Sequence, residues 1–183
     1  MSINTTVGKV HLSTPLLLAS GLITETPDFF MDAKPFGCSG MVTRSLKKNV
    51  PVERQKVPSP RYVVGGHDMM LNCEWGNDKP WQSWRDLWVE QVRNSGSKLI
   101  LSLSGRDIDS CKYLINAFDR IGVDAFEINV SCAHSGSLHG DLNVNLSHLE
   151  KLLGEIRITT QSIFQYKNVP PNRIYNNRYI LNN

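Results

Sequence analysis

The sequence predicts an α/β fold in which parallel strands alternate with helices. Short apolar runs, several of them rich in β-branched residues, alternate along the chain with longer amphipathic stretches. Two of the runs, Pro15–Ser20 and Lys98–Ser104, are nearly continuously apolar, which is typical of strands buried on both faces of a parallel sheet. The alternation of strands and helices indicates right-handed βαβ units.

Four strands and four helices follow from these patterns. The predicted strands are Pro15–Ser20, Gly40–Ser45, Lys98–Ser104 and Ala125–Ser131. The predicted helices are Asp28–Phe36, Pro80–Arg93, Asp107–Ile121 and Leu146–Ile156. Gly37 and Gly122 directly follow the first and third helices, where a glycine readily ends a helix.

The helical spacing also separates packing residues from candidates for chemistry. In the third helix Cys111 falls on the apolar stripe, so we assign its thiol to packing. In the second helix the spacing places Trp81, Trp84, Leu87, Trp88 and Val92 on one side, and the three tryptophans are predicted to be core rather than a stacking platform.

The connection Leu46–Lys79 is unusually long, with more than thirty residues rich in Pro, Gly, Asn and Lys. It follows the C-terminal end of a strand, where α/β barrels carry their active sites. Long connections inside compact domains are usually functional or disordered, and this position favours function. We therefore predict that it contributes to a binding site.

Composition limits the classes of function. The chain of 183 residues suits one domain, and its net charge of +3 is spread along it, which argues against nucleic-acid or anionic-membrane partners. The longest apolar run, Pro15–Ala19, is far shorter than a membrane span, and Met1–Thr6 lacks signal-peptide features. We expect a cytoplasmic protein. Its four cysteines form no Cys-x-x-Cys pair, so we expect free thiols and no metal site.

Small, hydroxyl-bearing or amide residues collect where the predicted strands end. Such residues suit the close approach of a planar ligand and hydrogen bonding to its edge, although hydroxyls at strand ends also cap helices. They are Ala19, Ser20 and Gly21; Thr43, Arg44 and Ser45; Ser104 and Gly105; and Asn129, Ser131 and Cys132.

One of these stretches carries a family resemblance. Glu127–His134 reads Glu-Ile-Asn-Val-Ser-Cys-Ala-His, and it resembles the stretch that marks dihydroorotate dehydrogenases and the pyrimidine-reducing domain of dihydropyrimidine dehydrogenase. Further stretches resemble the family in order and spacing, so that the resemblance covers about residues 7–156. They are Thr14–Gly21, Gly40–Ser45 with Ser59–Tyr62 downstream, and Leu71–Asn72.

The resemblance implies a fold and a reaction. Residues 1–157 would form the N-terminal half of an FMN-binding (β/α)8 TIM barrel, and residues 158–183 a degenerate fifth strand and an irregular Asn-rich tail. The family oxidises dihydroorotate to orotate in pyrimidine biosynthesis, with hydride passing to flavin N5 and a proton to the cysteine. The implied catalytic residues are Cys132 and Ser131. The implied flavin contacts are Ala19, Ser20, Gly21, Thr43, Arg44, Ser45, Asn129 and Lys167, and the implied substrate contacts are Asn72, Asn129 and His134.

Departures from the family pattern leave alternatives open. Arg44 stands where the family has Lys, and a guanidinium fork is not equivalent to an ammonium. Ala133 stands where Pro is usual, and His134 resembles the dihydropyrimidine branch, which makes uracil or thymine reduction an alternative. Only four strands are clear, so the chain is alternatively a truncated, non-catalytic half-barrel that self-associates through exposed sheet edges.

Overall fold

The structure is a computed structural model. It describes residues 3–49, 61–65, 67–71, 77, 79–104, 108–129, 150–151, 153–156, 163–168 and 177–180.

Short strands and helices follow one another along the chain. The strands are β1 (Thr5–Val7), β2 (Val10–Leu12), β3 (Leu17–Leu18), β4 (Gly40–Val42), β5 (Arg61–Gly65), β6 (His67–Leu71), β7 (Lys98–Ser104), β8 (Ala125–Asn129), β9 (Ile163–Asn168) and β10 (Asn177–Ile180). The helices are α1 (Asp28–Ala33), α2 (Trp81–Ser83), α3 (Val89–Asn94) and α4 (Ile108–Phe118). Three-residue 3₁₀ helices lie at Leu22–Thr24 and Lys34–Phe36, and residues 150–151 and 153–156 are also helical.

The main sheet confirms the predicted fold class, because its parallel strands alternate with helices. Its order is β3-β4-β7-β8-β9-β10, so five parallel strands lie side by side in chain order and β10 adds antiparallel to β9. Consecutive parallel order is the order of strands in a (β/α)8 barrel. Within the described residues the sheet is open, with β3 and β10 at its edges.

The structure also contains strands that the sequence patterns do not predict. β1 and β2 form an antiparallel hairpin before the sheet, and β5 pairs with β6 inside the long connection. The last segment is expected to be irregular, yet β10 pairs with β9 over four residue pairs. This pairing satisfies backbone groups along an otherwise open edge, a gain that the polar composition of the segment does not reveal.

The core lies between the sheet and its helices. Leu99, Leu101 and Leu103 of β7 alternate with the residues that face the other way, and all three are fully buried. They belong to one cluster with Phe126 and Ile128 of β8 and with the α4 side chains Leu114, Ile115 and Phe118. Cys111 belongs to the same cluster, which confirms its packing role, and its thiol donates a hydrogen bond to the Ser104 carbonyl at 3.2 Å.

A smaller apolar cluster lies on the opposite face of the sheet. Val10 and Leu12 of β2 are buried there, and they share the cluster with one residue from each of three neighbouring strands. These residues are Val42, Ile100 and Ala125. The N-terminal hairpin therefore covers the lower part of this face, near the beginning of the strands. We call it the helix-free face, because no helix of the described residues belongs to this cluster.

The second predicted helix contains a π-helical segment, Trp84–Trp88, between α2 and α3. The N–H of Val89 donates to the carbonyl of Trp84, five residues earlier, and both side chains are fully buried. Trp81 is also buried and Trp88 packs against the core, as predicted. The spacing places Leu87 on the same side as the tryptophans, and this is wrong, since its side chain is 65% exposed. In this wider turn Val89, five residues after Trp84, is buried in the core, whereas Leu87 is not.

Gly122 ends the α4 connection in a left-handed conformation, with φ of 90°. A Cβ atom there would lie 2.8 Å from Cζ of Arg93, whose guanidinium donates to the Ile121 carbonyl. We expect Gly122→Ala to lower the free energy of unfolding by about 1–3 kcal/mol, from backbone strain and loss of this contact.

The matched control for this prediction is Gly154→Ala. A Cβ atom at this helical position meets no atom of the described residues within 4 Å. Denaturant unfolding should show it neutral or stabilised by up to about 1 kcal/mol, because alanine favours the helix. Equal effects of the two variants would contradict the strain assigned to Gly122.

No helix in the described ranges is both long enough and apolar enough to cross a membrane.

Candidate functional site

A row of polar side chains occupies the helix-free face of the sheet, above the apolar cluster. Ser102 lies on β7 and Asn129 at the end of β8, and Ser45 follows β4. Asn129 Nδ2 donates to Ser45 Oγ at 2.9 Å, and Ser45 Oγ lies 2.9 Å from Ser102 Oγ in a second hydrogen bond. We call these three residues the polar row. It joins three neighbouring parallel strands close to their C-terminal ends, as the sequence predicts for Ser45 and Asn129.

The strand geometry explains why the row forms. Thr43 is fully buried, and its hydroxyl accepts a hydrogen bond from the Ser102 N–H at 3.0 Å. Val42 is the partner of Ile100, whereas Leu46 makes an isolated parallel bridge with Leu103, so the register with β7 shifts by one residue beyond the end of β4. Thr43 therefore holds the sheet together beneath Ser45, and its expected role toward a flavin stays a prediction.

Arg44 is buried, with its side chain only 6% exposed, so it is not an ordinary surface charge. Its guanidinium forms an ion pair with Glu25, with Nη1 and Oε1 3.2 Å apart. Its backbone N–H donates to the Thr24 carbonyl at 3.0 Å. Arg44 thus connects the end of β4 to the 3₁₀ turn after β3, and contact with a flavin is still a prediction for it.

The turn Ala19–Gly21 directly follows β3, as the sequence predicts. Thr24 holds it in shape, because the Gly21 N–H donates to Thr24 Oγ1 and that hydroxyl donates to the Gly21 carbonyl, both at 3.0 Å. Ala19 is exposed, while Ser20 and Gly21 are half-buried. Because the Arg44 N–H donates to the carbonyl of the same Thr24, hydrogen bonds connect this turn to the end of β4.

Asn77 is a site residue that the sequence reasoning missed. It is 1% exposed, and its backbone N–H donates to the Ser45 carbonyl at 3.1 Å. Its Oδ1 accepts from the Lys79 N–H at 2.8 Å, whereas its Nδ2 has no hydrogen-bond partner in the described part of the chain. A buried amide with unused donors is costly unless something else accepts from it. The only sequence signal is an Asn near the end of the long connection.

Lys167 lies in β9, where it is the register partner of Asn129. The fifth strand therefore brings position 167 next to Asn129 of the polar row, and contact of Lys167 with a flavin stays a prediction. Cys132, Ser131, His134 and Asn72 lie outside the described residues. Within those residues, no group of three or more His, Cys, Asp or Glu side chains could hold a metal ion.

The arrangement suits a planar, hydrogen-bonding ligand at the C-terminal edge of the sheet. Hydroxyls and amides both donate and accept, so the polar row and Asn77 can match the alternating donors and acceptors of a heterocycle. Helices cover the other face of the sheet, and the N-terminal hairpin covers the lower part of this one.

Curated proteins with related sequences share one description, the catalytic subunit of dihydroorotate dehydrogenase B (NAD(+)). The protein of Thermoplasma acidophilum is 28% identical over 158 residues, which are 85% of this chain and 50% of the relative. That of Pyrococcus furiosus is 27% identical over 135 residues, 74% of this chain and 43% of the relative. That of Thermoanaerobacter pseudethanolicus is 24% identical over 172 residues, 93% and 55% of the two chains.

These relatives confirm the resemblance to the dihydroorotate dehydrogenase family that the motifs indicate. The chain spans about half the length of the curated relatives it matches. No family model matches the chain.

Proposed function

We propose that this chain carries the flavin- and substrate-facing half of an FMN-dependent oxidoreductase, which oxidises dihydroorotate to orotate in cytoplasmic pyrimidine biosynthesis. The observation that carries the proposal is the hydrogen-bonded polar row, Ser45, Ser102 and Asn129, on the face of a parallel sheet that no helix of the described residues covers. The curated relatives, all named as dihydroorotate dehydrogenase catalytic subunits, support the same reaction.

The residues present fit a flavin by their chemistry. A buried amide at Asn77, with unused donors, calls for an acceptor such as a ring carbonyl. FMN would be held by the turn Ala19–Gly21, by Thr43, Arg44, Ser45 and Asn129, and by Lys167. When bound, FMN supplies the redox chemistry by accepting hydride from C6 of the substrate at its N5.

The chain's own side chains would orient the pyrimidine and move a proton. Cys132, three residues after Asn129, accepts the proton from C5 as the general base, and Ser131 orients the substrate or assists the proton path. Asn72, Asn129 and His134 bind the pyrimidine edge, since amides match its alternating donors and acceptors.

Two alternatives have their own observations. His134 in place of the asparagine frequent in dihydroorotate dehydrogenases favours a uracil- or thymine-type substrate. A non-catalytic, self-associating half-barrel is favoured by apolar side chains near the β3 edge, where Leu16 and Leu22 are 53% and 54% exposed.

Flavin binding tests the proposal first. We expect purified chain to show a yellow flavin spectrum in stoichiometric amount, either as isolated or after incubation with FMN. Addition of dihydroorotate or a dihydropyrimidine should then bleach the flavin band, and the more effective compound identifies the substrate class. Colourless protein that binds no FMN on reconstitution would overturn the proposal and leave the self-associating half-barrel, which light scattering would detect.

Asn129→Ala should weaken FMN binding. It removes the donor to Ser45 Oγ and one polar contact to the ring, and we expect the Kd to rise about 10-fold, equivalent to roughly 1.4 kcal/mol. Asn116→Ala, on the exposed side of α4, is the matched control and should bind FMN like the unchanged protein. Fluorescence titration measures both, and equal Kd values would remove Asn129 from the site.

A further inference from the structure

Tyr113 on α4 contacts both ends of the long connection Leu46–Lys79, and the proposed reaction does not use it. Its ring lies edge-on to the ring of Trp81, with the two centroids 5.7 Å apart, and Trp81 comes just after the connection ends. Lys48, close to the beginning of the connection, places its ammonium Nζ 4.5 Å from the centroid of the same tyrosine ring. One side chain on a helix therefore joins the beginning of the connection to its end.

Trp81 is the fixed member of these contacts. It is 5% exposed, and its ring also lies edge-on to Phe118 of the core, with centroids 6.0 Å apart. Lys48, in contrast, is exposed. Edge-on aromatic pairs and ammonium groups over aromatic rings are both favourable geometries. Tyr113 therefore attaches the exposed beginning of the connection to an end that the core already holds.

The same two ends are joined a second time, next to the polar row. The Asn77 N–H donates to the Ser45 carbonyl at 3.1 Å, and Asn77 Oδ1 accepts from the Lys79 N–H at 2.8 Å. Only a few residues of chain separate these hydrogen bonds from the two contacts of Tyr113, so contacts and chain together form a closed ring. We call this ring the base of the connection, and its members are Ser45, Lys48, Asn77, Trp81 and Tyr113.

We propose that Tyr113 is a positioning residue, which holds Asn77 against the end of β4 by fixing both ends of the long connection. The effect on a ligand rests on the function proposed above, in which the Asn77 amide donates to a ring carbonyl. Tyr113 touches neither flavin nor substrate. Loss of its ring releases Lys48, and the hydrogen bond between Asn77 and Ser45 then opens more often, because the ends of a long connection must be ordered against their conformational entropy.

Hydrogen exchange of the full chain without FMN, followed by NMR, tests this role. In Tyr113→Ala we expect the Asn77 amide to exchange about 5- to 20-fold faster, since two favourable contacts of the base are lost and the bond to Ser45 opens more often. Tyr113→Phe keeps the ring, and its Asn77 amide should exchange at the rate of the unchanged protein. Amides of β7 and β8 should exchange at unchanged rates in both variants.

Phe29→Ala is the matched control. Phe29 is also a half-exposed aromatic residue on a helix, α1, and its loss should leave the exchange of the Asn77 amide unchanged. An unchanged Asn77 rate in Tyr113→Ala would overturn the proposal. Equal acceleration in β7 and β8 would also overturn it, because the substitution would then destabilise the whole fold rather than the base of the connection.

Lys48→Met tests whether the beginning of the connection is held through Tyr113. It removes the ammonium and keeps most of the apolar stem, so we expect the Asn77 amide to exchange about 2- to 5-fold faster. In the Tyr113→Ala background the same change should have no further effect, since the ring that it contacts is absent. Accelerations that multiply in the double variant would contradict the proposal.

FMN titration separates this inference from the function on which it rests. In Tyr113→Ala the Kd for FMN should rise about 3- to 10-fold, and in the Asn77→Ala background the same change should have little further effect. Tyr113→Phe should bind FMN like the unchanged protein. Faster exchange at Asn77 without any FMN binding in the unchanged protein would sink the proposed function and leave Tyr113 as the residue that holds Asn77. FMN binding with equal Kd values in the unchanged protein and Tyr113→Ala would instead overturn the positioning role.

Discussion

Replacement of Cys132 by serine is expected to slow reduction of the bound flavin by dihydroorotate about 100- to 10,000-fold, the usual contribution of a positioned acid or base. The serine hydroxyl is a far weaker proton acceptor than a thiolate, while its similar size should leave the Kd for FMN unchanged. Anaerobic stopped-flow absorbance measures the bleaching of the flavin, and fluorescence titration measures the Kd.

The control for Cys132 is a thiol elsewhere in the chain. Cys38 is half-buried and free, outside the polar row, and Cys38→Ser should reduce its flavin at the normal rate. A Cys132→Ser variant with an unchanged rate would show that another group takes the proton from C5. Loss of flavin from the variant would instead indicate a structural role for the residue.

Phe126→Ala should have the largest effect on stability. The ring is fully buried in the middle of β8, between the sheet and its helices, so the substitution leaves a large cavity. We expect the free energy of unfolding to fall by about 3–5 kcal/mol, which lowers the Tm by roughly 6–20 °C. Differential scanning calorimetry or urea unfolding measures the change.

Leu87→Ala is the matched control for the core substitution. Its side chain is 65% exposed beside the π-helical segment, and removal should change the free energy of unfolding by about 0.5 kcal/mol at most. A loss comparable with that of Phe126→Ala would mean that Leu87 is buried, and that the helix is α-helical where the structure has a π turn.

The sequence predicted the parallel sheet because burial on both faces leaves a direct trace in Lys98–Ser104. The π turn was not predictable, since a single extra residue in one turn depends on how Trp84 and Val89 fit the core rather than on their spacing. The hairpin of β1 and β2 was missed for another reason. Its strands have three residues each, too few for an alternating pattern to stand out.

Two of the four residues of the candidate site were also predictable from strand patterns. Ser45 and Asn129 follow recognisable strands, so their approach to each other follows from the parallel order. Ser102 lies inside an apolar strand and Asn77 near the end of a long connection, and neither position has a local pattern that indicates the site. Asn77 joins the site through the hydrogen bond from its backbone N–H to the Ser45 carbonyl, which is a tertiary contact that the local sequence does not indicate.

The N-terminal hairpin has a consequence for the direction in which a ligand can be bound. Val10 and Leu12 make the beginning of the helix-free face a medium of low polarity, whereas hydroxyls, amides and a carboxylate follow further along the same strands. Polarity therefore rises in one direction along the strands, and electrostatic interactions are stronger where water is excluded. We therefore expect a flat ligand with one polar and one apolar edge to bind in a single orientation.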